Sequence, residues 1–349
     1  MMYRIDSFRK KIESVGKIPY LVSDLSDIFY ISGFTGSSAY IFVTDDENIF
    51  ITDGRYEEQC RFELKGDWKL EVVSSYIKFL KDLCKNYQNV FITDKLPLNI
   101  YLEMAKESEL VVDNFSEILQ MRMIKDDEEI NLIKNAYYIA AEAILKSLDN
   151  FIFGQTEKSW AAALEYNMKI LGAEKESFDT IVASGFRGAL PHGRASDKIV
   201  NICEPVVIDY GVKSGYVSDI TRMVYLDNDN EILKNIDIVS DTVDYCIDLI
   251  RPGEICSEIY LKSKKYLEKY HLDEYFTHGL GHSLGIDVHE KPSLSRYDDT
   301  VIAEGMVFTI EPGVYFSGKY GIRIEETAVV TKNGCEIISS VLKNRVLKF

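Results

Sequence analysis

The sequence predicts an α/β fold of the mixed, α+β kind, divided into two domains. Three observations lead there. The 349 residues exceed what one hydrophobic core usually spans. Roughly the first hundred alternate short apolar strand signals with helical spacing. Beyond a capping-box signal at Asp126 and Glu129 comes a long amphipathic helix, followed by paired strands that carry acidic residues.

Taken in order, Arg4 to Val15 has helical spacing and Tyr20 to Val22 reads as a strand. Tyr40 to Val43 and Ile49 to Thr52 read as strands paired around Asp45, Asp46, Glu47 and Asn48. Tyr76 to Tyr87 is helical, Val90 to Thr93 extended and Ile100 to Ser108 helical again. The loop SGFTGSSAY, with Gly33, Gly36, Ser37 and Ser38, lacks the spacing of a dinucleotide fingerprint or a P-loop and reads as a tight turn. Asp53, Gly54 and Arg55 read as a turn or a structural ion pair. The domain boundary is set near Met123, giving a first domain of 1–122 and a second of 123–349.

In the second domain, Trp160 to Leu171 is expected to be helical and Asp179 to Ala183 a strand. A glycine-rich loop, SGFRGALPHGRASDK, then carries His192. Val206 to Arg222 reads as a β-hairpin turning at Lys213, Ser214 and Gly215, with Asp209 and Asp219 ten residues apart on its arms. Carboxylates at the ends of buried strands need opposing positive charge, and no Lys or Arg of the hairpin is placed to serve both. The arrangement recurs about a hundred residues on. Met306 to Ile310 is an apolar strand ending at Glu311 and Pro312, and Gly321 to Val330 is a strand with Glu325 in its middle.

Between these acidic pairs lies THGLGHSLGIDVHE, with three of the five histidines, His278, His282 and His289. Gly279 and Gly281 argue for a turn or extended segment there, so the four-residue spacing of His278 and His282 implies no helical face. His271 reads as a surface residue at a helix end. Two acidic strand pairs bracketing a histidine cluster have the composition of a dinuclear site for hard to borderline divalent ions.

Composition bounds the rest. With 46% apolar and 28% charged residues the chain is ordinary globular protein, and its net charge of −16 argues against a phosphate-backbone partner, so no nucleic acid is expected. No apolar run reaches the roughly 20 residues that span a bilayer, so no membrane partner is expected. MMYRIDSFRKK lacks the apolar core of a signal peptide, and six cysteines without a CxxC pair fit reduced thiols, so a cytoplasmic protein is expected.

The order IDYG, GYVSDITR, HGLGHSLGIDVHE, GMVFTIEPGVY and GIRIEE resembles the M24 or "pita-bread" metallopeptidases: Xaa-Pro aminopeptidases, Xaa-Pro dipeptidases and methionine aminopeptidases. SGFTGSSAYIFVT and ITDGRYEEQC are similar to the creatinase-like N-terminal domain of Xaa-Pro aminopeptidases. The resemblance implies a creatinase-like domain over 1–122 and a pita-bread catalytic domain over 123–349. It implies five metal ligands: Asp219 and Glu325 bridging two ions, Asp209 chelating one, and His282 with Glu311 holding the other. His192, His278 and His289 match histidines of the substrate site and Arg323 an ordering arginine; Glu326 stands where Asp is commoner. The spacing from Asp209 to Asp219 is one residue shorter than is usual in the family, which the turn must absorb if the side chains are to keep their face.

The implied mechanism has Glu311 carry the proton from the nucleophilic water to the leaving nitrogen, with His192, His278 and His289 assisting as donors. The implied cofactors are two divalent ions, Mn2+ first, with Co2+, Fe2+ and Zn2+ as alternatives. The substrates are short proline-containing peptides, and the assembly is a homodimer in which the N-terminal domain reaches across the partner's site. The TGSS and DGRY stretches favour an Xaa-Pro aminopeptidase over an Xaa-Pro dipeptidase (prolidase). Two further readings are a non-catalytic binding or scaffold protein that keeps the fold, and a metal-free relative of the creatinase type. Both are disfavoured by the joint presence of all five ligands.

Overall fold

The computed structural model describes residues 4–348; the predicted domain ranges also include residues 1–3 and 349, which lie outside the described residues. The chain divides into two compact units, Met1–Arg122 and Met123–Phe349.

The first unit is a six-stranded sheet with helices. Its strands are β1 (Tyr20–Val22), β2 (Ala39–Val43), β3 (Asn48–Thr52), β4 (Lys69–Val72), β5 (Asn89–Ile92) and β6 (Glu109–Val112), in the order β4-β3-β2-β1-β5-β6. The strongest apolar runs take the centre: β1 is buried throughout, whereas the outermost β4 and β6 include exposed residues. The helices are α1 (Arg4–Ser14), α2 (Leu25–Ser32), α3 (Glu57–Glu63), α4 (Tyr76–Cys84), α5 (Leu98–Met104) and α6 (Glu117–Met123). A core of Leu21, Phe42, Ile51, Leu80, Val90 and Met104 fills the layer between sheet, α4 and α5.

Two predicted helices are shorter than expected. α4 stops at Cys84, and α5 stops at Met104, so that the expected helix to Ser108 instead turns into β6. Ser108 Oγ donates to Gln88 O at 3.0 Å, joining this turn to the start of β5. α2 follows an Asp24 N-cap whose carboxylate accepts from the Ser26 and Asp27 amides, and it is a helix the apolar pattern did not reveal. Asp53 and Arg55 form the expected local pair, Nε to Oδ1 at 2.9 Å.

The second unit opens with α7 (Asp127–Ser147), which starts at the Asp126–Glu129 capping box, and α8 (Glu157–Ile170). A first group of strands follows: β7 (Lys175–Glu176), β8 (Ile181–Ser184), β9 (Val206–Tyr210), β10 (Val212–Ser214), β11 (Tyr216–Val217) and β12 (Ile220–Val224). After α9 (Asn230–Leu249) and α10 (Cys256–Glu268) comes a second group. These are β13 (Gly281–Ser283), β14 (Glu290–Leu294), β15 (Val307–Ile310), β16 (Gly313–Phe316), β17 (Tyr320–Arg323), β18 (Glu326–Thr331), β19 (Gly334–Ile337) and β20 (Val346–Leu347). The sheets that matter for the site are β20-β12-β9-β8, β15-β18-β19 and the pairs β13-β14 and β16-β17.

The stretch from Gly321 to Val330 is not one strand. β17 pairs with β16 and β18 pairs with β15, so the chain changes sheets at Ile324 and Glu325. Glu325 therefore sits at a break, where its amide reaches Thr221 O at 3.3 Å, rather than in mid-ladder. All six cysteines are free, and no helix among the described residues is long and apolar enough to cross a membrane.

Candidate metal centre and substrate pocket

Strand register brings the predicted acids together. In the β9–β12 ladder Asp209 faces Thr221 and Tyr210 faces Ile220, so Asp219 lies one position past the last pair, opposite Gly211. In the β15–β18 ladder Ile310 faces Glu326, so Glu311 and Glu325 are the next opposed positions past its end. Two ladders thus each deliver acidic residues at one end. One oxygen from each of Asp209, Asp219 and Glu325 lies within 4.8 Å of the others. His282 Nε2 lies 3.6 Å from Asp219 Oδ2 and 3.4 Å from Glu311 Oε1, which brings the remaining two residues to the cluster.

The short hairpin between Asp209 and Asp219 is absorbed locally. β10 and β11 close at Gly215, which adopts φ 71°, and Ser218 Oγ accepts from the Val212 amide at 3.0 Å. Ser177 Oγ donates to Ser218 O at 3.0 Å. Space here is so limited that a Cβ on Gly211 would stand 2.0 Å from both Ser177 Oγ and Ser218 O. Gly211→Ala is therefore expected to cost about 3 kcal/mol of stability by overpacking and to weaken divalent-ion binding. Gly334→Ala, with nothing within 4 Å, is the matched control. Thermal unfolding and metal titration of both variants measure the difference, and equal behaviour would show that the hairpin tolerates expansion.

Four carboxylates and few cations make an electrostatically unfinished site. Asp219 and Glu325 are buried, at 7% and 1% exposure. Burial holds their carboxyls well above the ordinary range, reinforced for Asp219 by the charges of Glu325, Asp209 and Glu311, and for Glu325 by those of Glu311 and Asp209. Burial pushes Glu311 up to about 8, with the Asp209 charge adding. Asp209 Oδ1 and Glu325 Oε1 are buried with no hydrogen-bond partner, the kind of orphaned acceptor that structures rarely leave unmet.

His282 points the same way. Its Nδ1 contacts Ser283 O at 3.2 Å, and since a carbonyl only accepts, Nδ1 carries the proton and the Nε2 lone pair faces Asp219 and Glu311. Burial and the neighbouring His289 keep this ring neutral, pushing its pKa down to about 4. A lone pair aimed at carboxylates is repulsive unless a proton or a cation lies between them, and a divalent ion satisfies all of these donors at once. The donor set is hard oxygen plus one imidazole, and it fits divalent ions of the Mn, Fe, Co and Zn group.

Arg323, at 3% exposure, organises the other side. It donates from Nη2 to Asp209 Oδ2 at 2.6 Å, from Nε to Thr221 Oγ1 at 3.2 Å, and from Nη1 to Tyr315 OH at 2.8 Å and Pro191 O at 3.0 Å. Thr221 Oγ1 in turn donates to Glu325 Oε2 at 3.1 Å. Glu326 turns to the opposite face, where it pairs with the buried Arg222 and with Arg345.

His278 is more committed than its sequence position suggests. Nδ1 donates to Gly279 O at 2.7 Å, which leaves Nε2 to accept from Tyr315 OH at 2.9 Å. Both ring nitrogens are used, and burial together with Arg323 pushes the ring's pKa down to about 4. His192 and His289 are exposed, and the His289 ring lies 4.3 Å from that of His282. All three histidines line one cavity of about 450 Å3 with Asp209, Asp219, His282, Glu311 and Arg323, walled by Phe178, Ile181, Val288 and Tyr315. His271 is exposed and is not among the residues of this lining.

Two positioning tyrosines were not anticipated from sequence. Tyr315 links Arg323 to His278, and the fully buried Tyr137 of α7 accepts from the Asp219 amide at 3.1 Å and bonds Thr327 Oγ1 at 2.6 Å. Tyr315 lies in the short apolar strand GVYF, whose residues show no alternation that would mark it. Tyr137, in AYYIAAEA, has the spacing of an ordinary core residue.

Residues 131–332 match the family described as metallopeptidase family M24, and residues 4–124 match the creatinase/prolidase N-terminal domain. An Xaa-Pro dipeptidase of Pyrococcus horikoshii is 37% identical over 325 residues, 90% of this chain and 90% of its own. The crystal structure of the prolidase from Pyrococcus horikoshii has a TM-score of 0.90 at 34% identity, covering 96% of this chain and 97% of its own. The X-Pro aminopeptidase from Thermotoga maritima has a TM-score of 0.90 at 34% identity, covering 99% of each.

Proposed function

We propose that this chain, which belongs to metallopeptidase family M24 and carries a creatinase/prolidase N-terminal domain, is a dinuclear metal-dependent Xaa-Pro dipeptidase. The observation that carries the reading is the convergence of Asp209, Asp219 and Glu325, two of them with orphaned buried oxygens, beside His282 and Glu311. The relatives named as Xaa-Pro dipeptidases shift the preference from aminopeptidase to dipeptidase. The aminopeptidase stays as the second reading, favoured by the full-length likeness to the Thermotoga maritima structure.

In this reading Asp209, Asp219, His282, Glu311 and Glu325 hold two divalent ions, Mn2+ first. The bound ions would supply Lewis acidity to the scissile carbonyl and to the attacking water. Glu311, beside His282 at the edge of the acidic cluster, takes the proton of that water and delivers it to the leaving proline nitrogen. His192 and His289, exposed to the cavity, donate to the substrate carbonyl, while His278 orients Tyr315 and Arg323. Arg323 holds Asp209 in place. Phe178, Ile181 and Val288 provide apolar wall for the proline ring, whose tertiary amide has no N–H to be recognised. Homodimer assembly and a cytoplasmic location belong to the same reading.

The test is hydrolysis of matched Xaa-Pro and Xaa-Pro-Yaa peptides by metal-stripped protein before and after Mn2+ addition. Manganese-dependent cleavage of the dipeptide in preference is the expected result. Preference for the tripeptide returns the assignment to aminopeptidase, and cleavage of neither by ion-loaded protein makes the chain a scaffold.

A further inference from the structure

The cavity wall contains two arginines, and they are not equivalent. Arg323 is buried, and Nε, Nη1 and Nη2 are all engaged by Thr221, Pro191, Tyr315 and Asp209, which leaves it committed to the protein. Arg194 lines the same cavity, but its side chain is 79% exposed and, among the described residues, paired only with Asp179, Nη2 to Oδ2 at 2.6 Å, whose own side chain is 62% exposed. Ion pairs as exposed as this contribute little to stability, so exchanging one partner for another is cheap.

The backbone beneath Arg194 is fixed. Arg187 donates from Nη2 to Arg194 O at 2.6 Å and from Nε to the fully buried Glu157 at 2.9 Å. The same Glu157 oxygen accepts from the Ser196 amide at 3.1 Å, and Gly193 N bonds Leu190 O at 2.9 Å. Arg194 is thus an exposed cation on a hydrogen-bonded backbone, two residues from His192. Arg296, the nearest other cation in sequence to the lining residue Ser295, is outside the lining and stacks on Tyr297 at 5.3 Å.

A dipeptide brings its α-carboxylate into the cavity with the scissile bond. Of the two arginines that line that cavity, only Arg194 has an exposed guanidinium to offer an entering carboxylate. Resting on the Xaa-Pro reading above, we propose that Arg194 is a specificity-determining residue whose guanidinium exchanges Asp179 for the C-terminal carboxylate of an Xaa-Pro dipeptide. A tripeptide carries its carboxylate one residue further out, and an amidated dipeptide has none. Neither engages Arg194 in the same way.

The experiment uses the full-length, Mn2+-loaded protein and compares Xaa-Pro, Xaa-Pro-amide and Xaa-Pro-Yaa. Arg194→Met keeps the aliphatic stem and removes the charge. It is expected to raise KM for Xaa-Pro by about tenfold or more, as loss of a charge-assisted contact does. The kcat value should stay within about twofold, and the amide and tripeptide should be unaffected. Arg194→Lys should retain part of the dipeptide affinity, and Asp179→Asn, by removing the competing carboxylate, should lower KM for the dipeptide. An unchanged dipeptide KM in Arg194→Met, or an equal rise for the amide, overturns the proposal while leaving the Xaa-Pro assignment intact. A raised KM in Asp179→Asn overturns it too, by making Asp179 the substrate contact. Wild-type protein that cleaves no Xaa-Pro bond overturns the assignment and the proposal together.

Discussion

Replacing Glu311 by Gln is expected to lower kcat by roughly two to four orders of magnitude, the range over which a positioned proton carrier acts. The substitution keeps size and shape but removes the group that accepts and returns a proton. Its surroundings sharpen the effect. Glu311 sits 3.4 Å from the His282 lone pair and, among the described residues, its side chain accepts only a long, 3.5 Å contact from Thr309 Oγ1, so a Gln NH2 has acceptors nearby and can settle without restoring the chemistry. Measuring kcat with metal content determined in the same sample separates proton transfer from ion loss. Full metal occupancy with kcat within tenfold of wild type would remove Glu311 from the proton path.

Stripping divalent ions with a chelator is expected to abolish peptide hydrolysis and to make stability pH-dependent in a defined direction. Glu311 is raised from its ordinary 4.5 to about 8 in the metal-free fold, and Asp219 and Glu325 are raised as well. The folded state then holds protons that the unfolded chain releases. Their stabilising contribution is complete below about pH 4.5 and is lost as pH rises through about 8. Tm of the stripped protein should therefore fall between pH 5 and 8. Saturating Mn2+ should raise Tm and flatten that slope, since an ion that binds only the folded state adds stability by mass action and replaces the protons. A stripped protein whose Tm climbs over the same interval would mean that the carboxylates are compensated by the protein itself.

Much of the site could be read from the sequence because its residues stand at the ends of apolar strands, where a carboxylate is conspicuous. Asp209, Asp219 and Glu311 are of this kind, and the capping box at Asp126 and Glu129 is a local signal that the fold uses as written. What escaped was set by non-local pairing. The break at Glu325 exists because β17 and β18 join different partners, which no window of ten residues can reveal. β4 and β6 are short parallel edge strands with little apolar alternation, and α2 is recognisable mainly by its cap. Arg323 could be marked as an ordering residue, but its four partners lie on four separate segments. Substrate length was least legible, since the wall that decides it is made by loops.

The ion pair between Arg323 and Asp209 joins residues 114 positions apart. During ribosomal synthesis Asp209 and Asp219 emerge early, and the guanidinium that offsets one of them, like Glu311 and Glu325, emerges long afterwards. A nascent chain halted between them holds two aspartates at strand ends with no counter-charge and only water to solvate them. The acidic end of the β9–β12 ladder is therefore electrostatically complete only when β15 to β18 are present. A chain truncated before Arg323 is expected to be cleaved faster than the full chain by an added protease in a limited-proteolysis time course, because Asp209 then has lost its buried guanidinium partner.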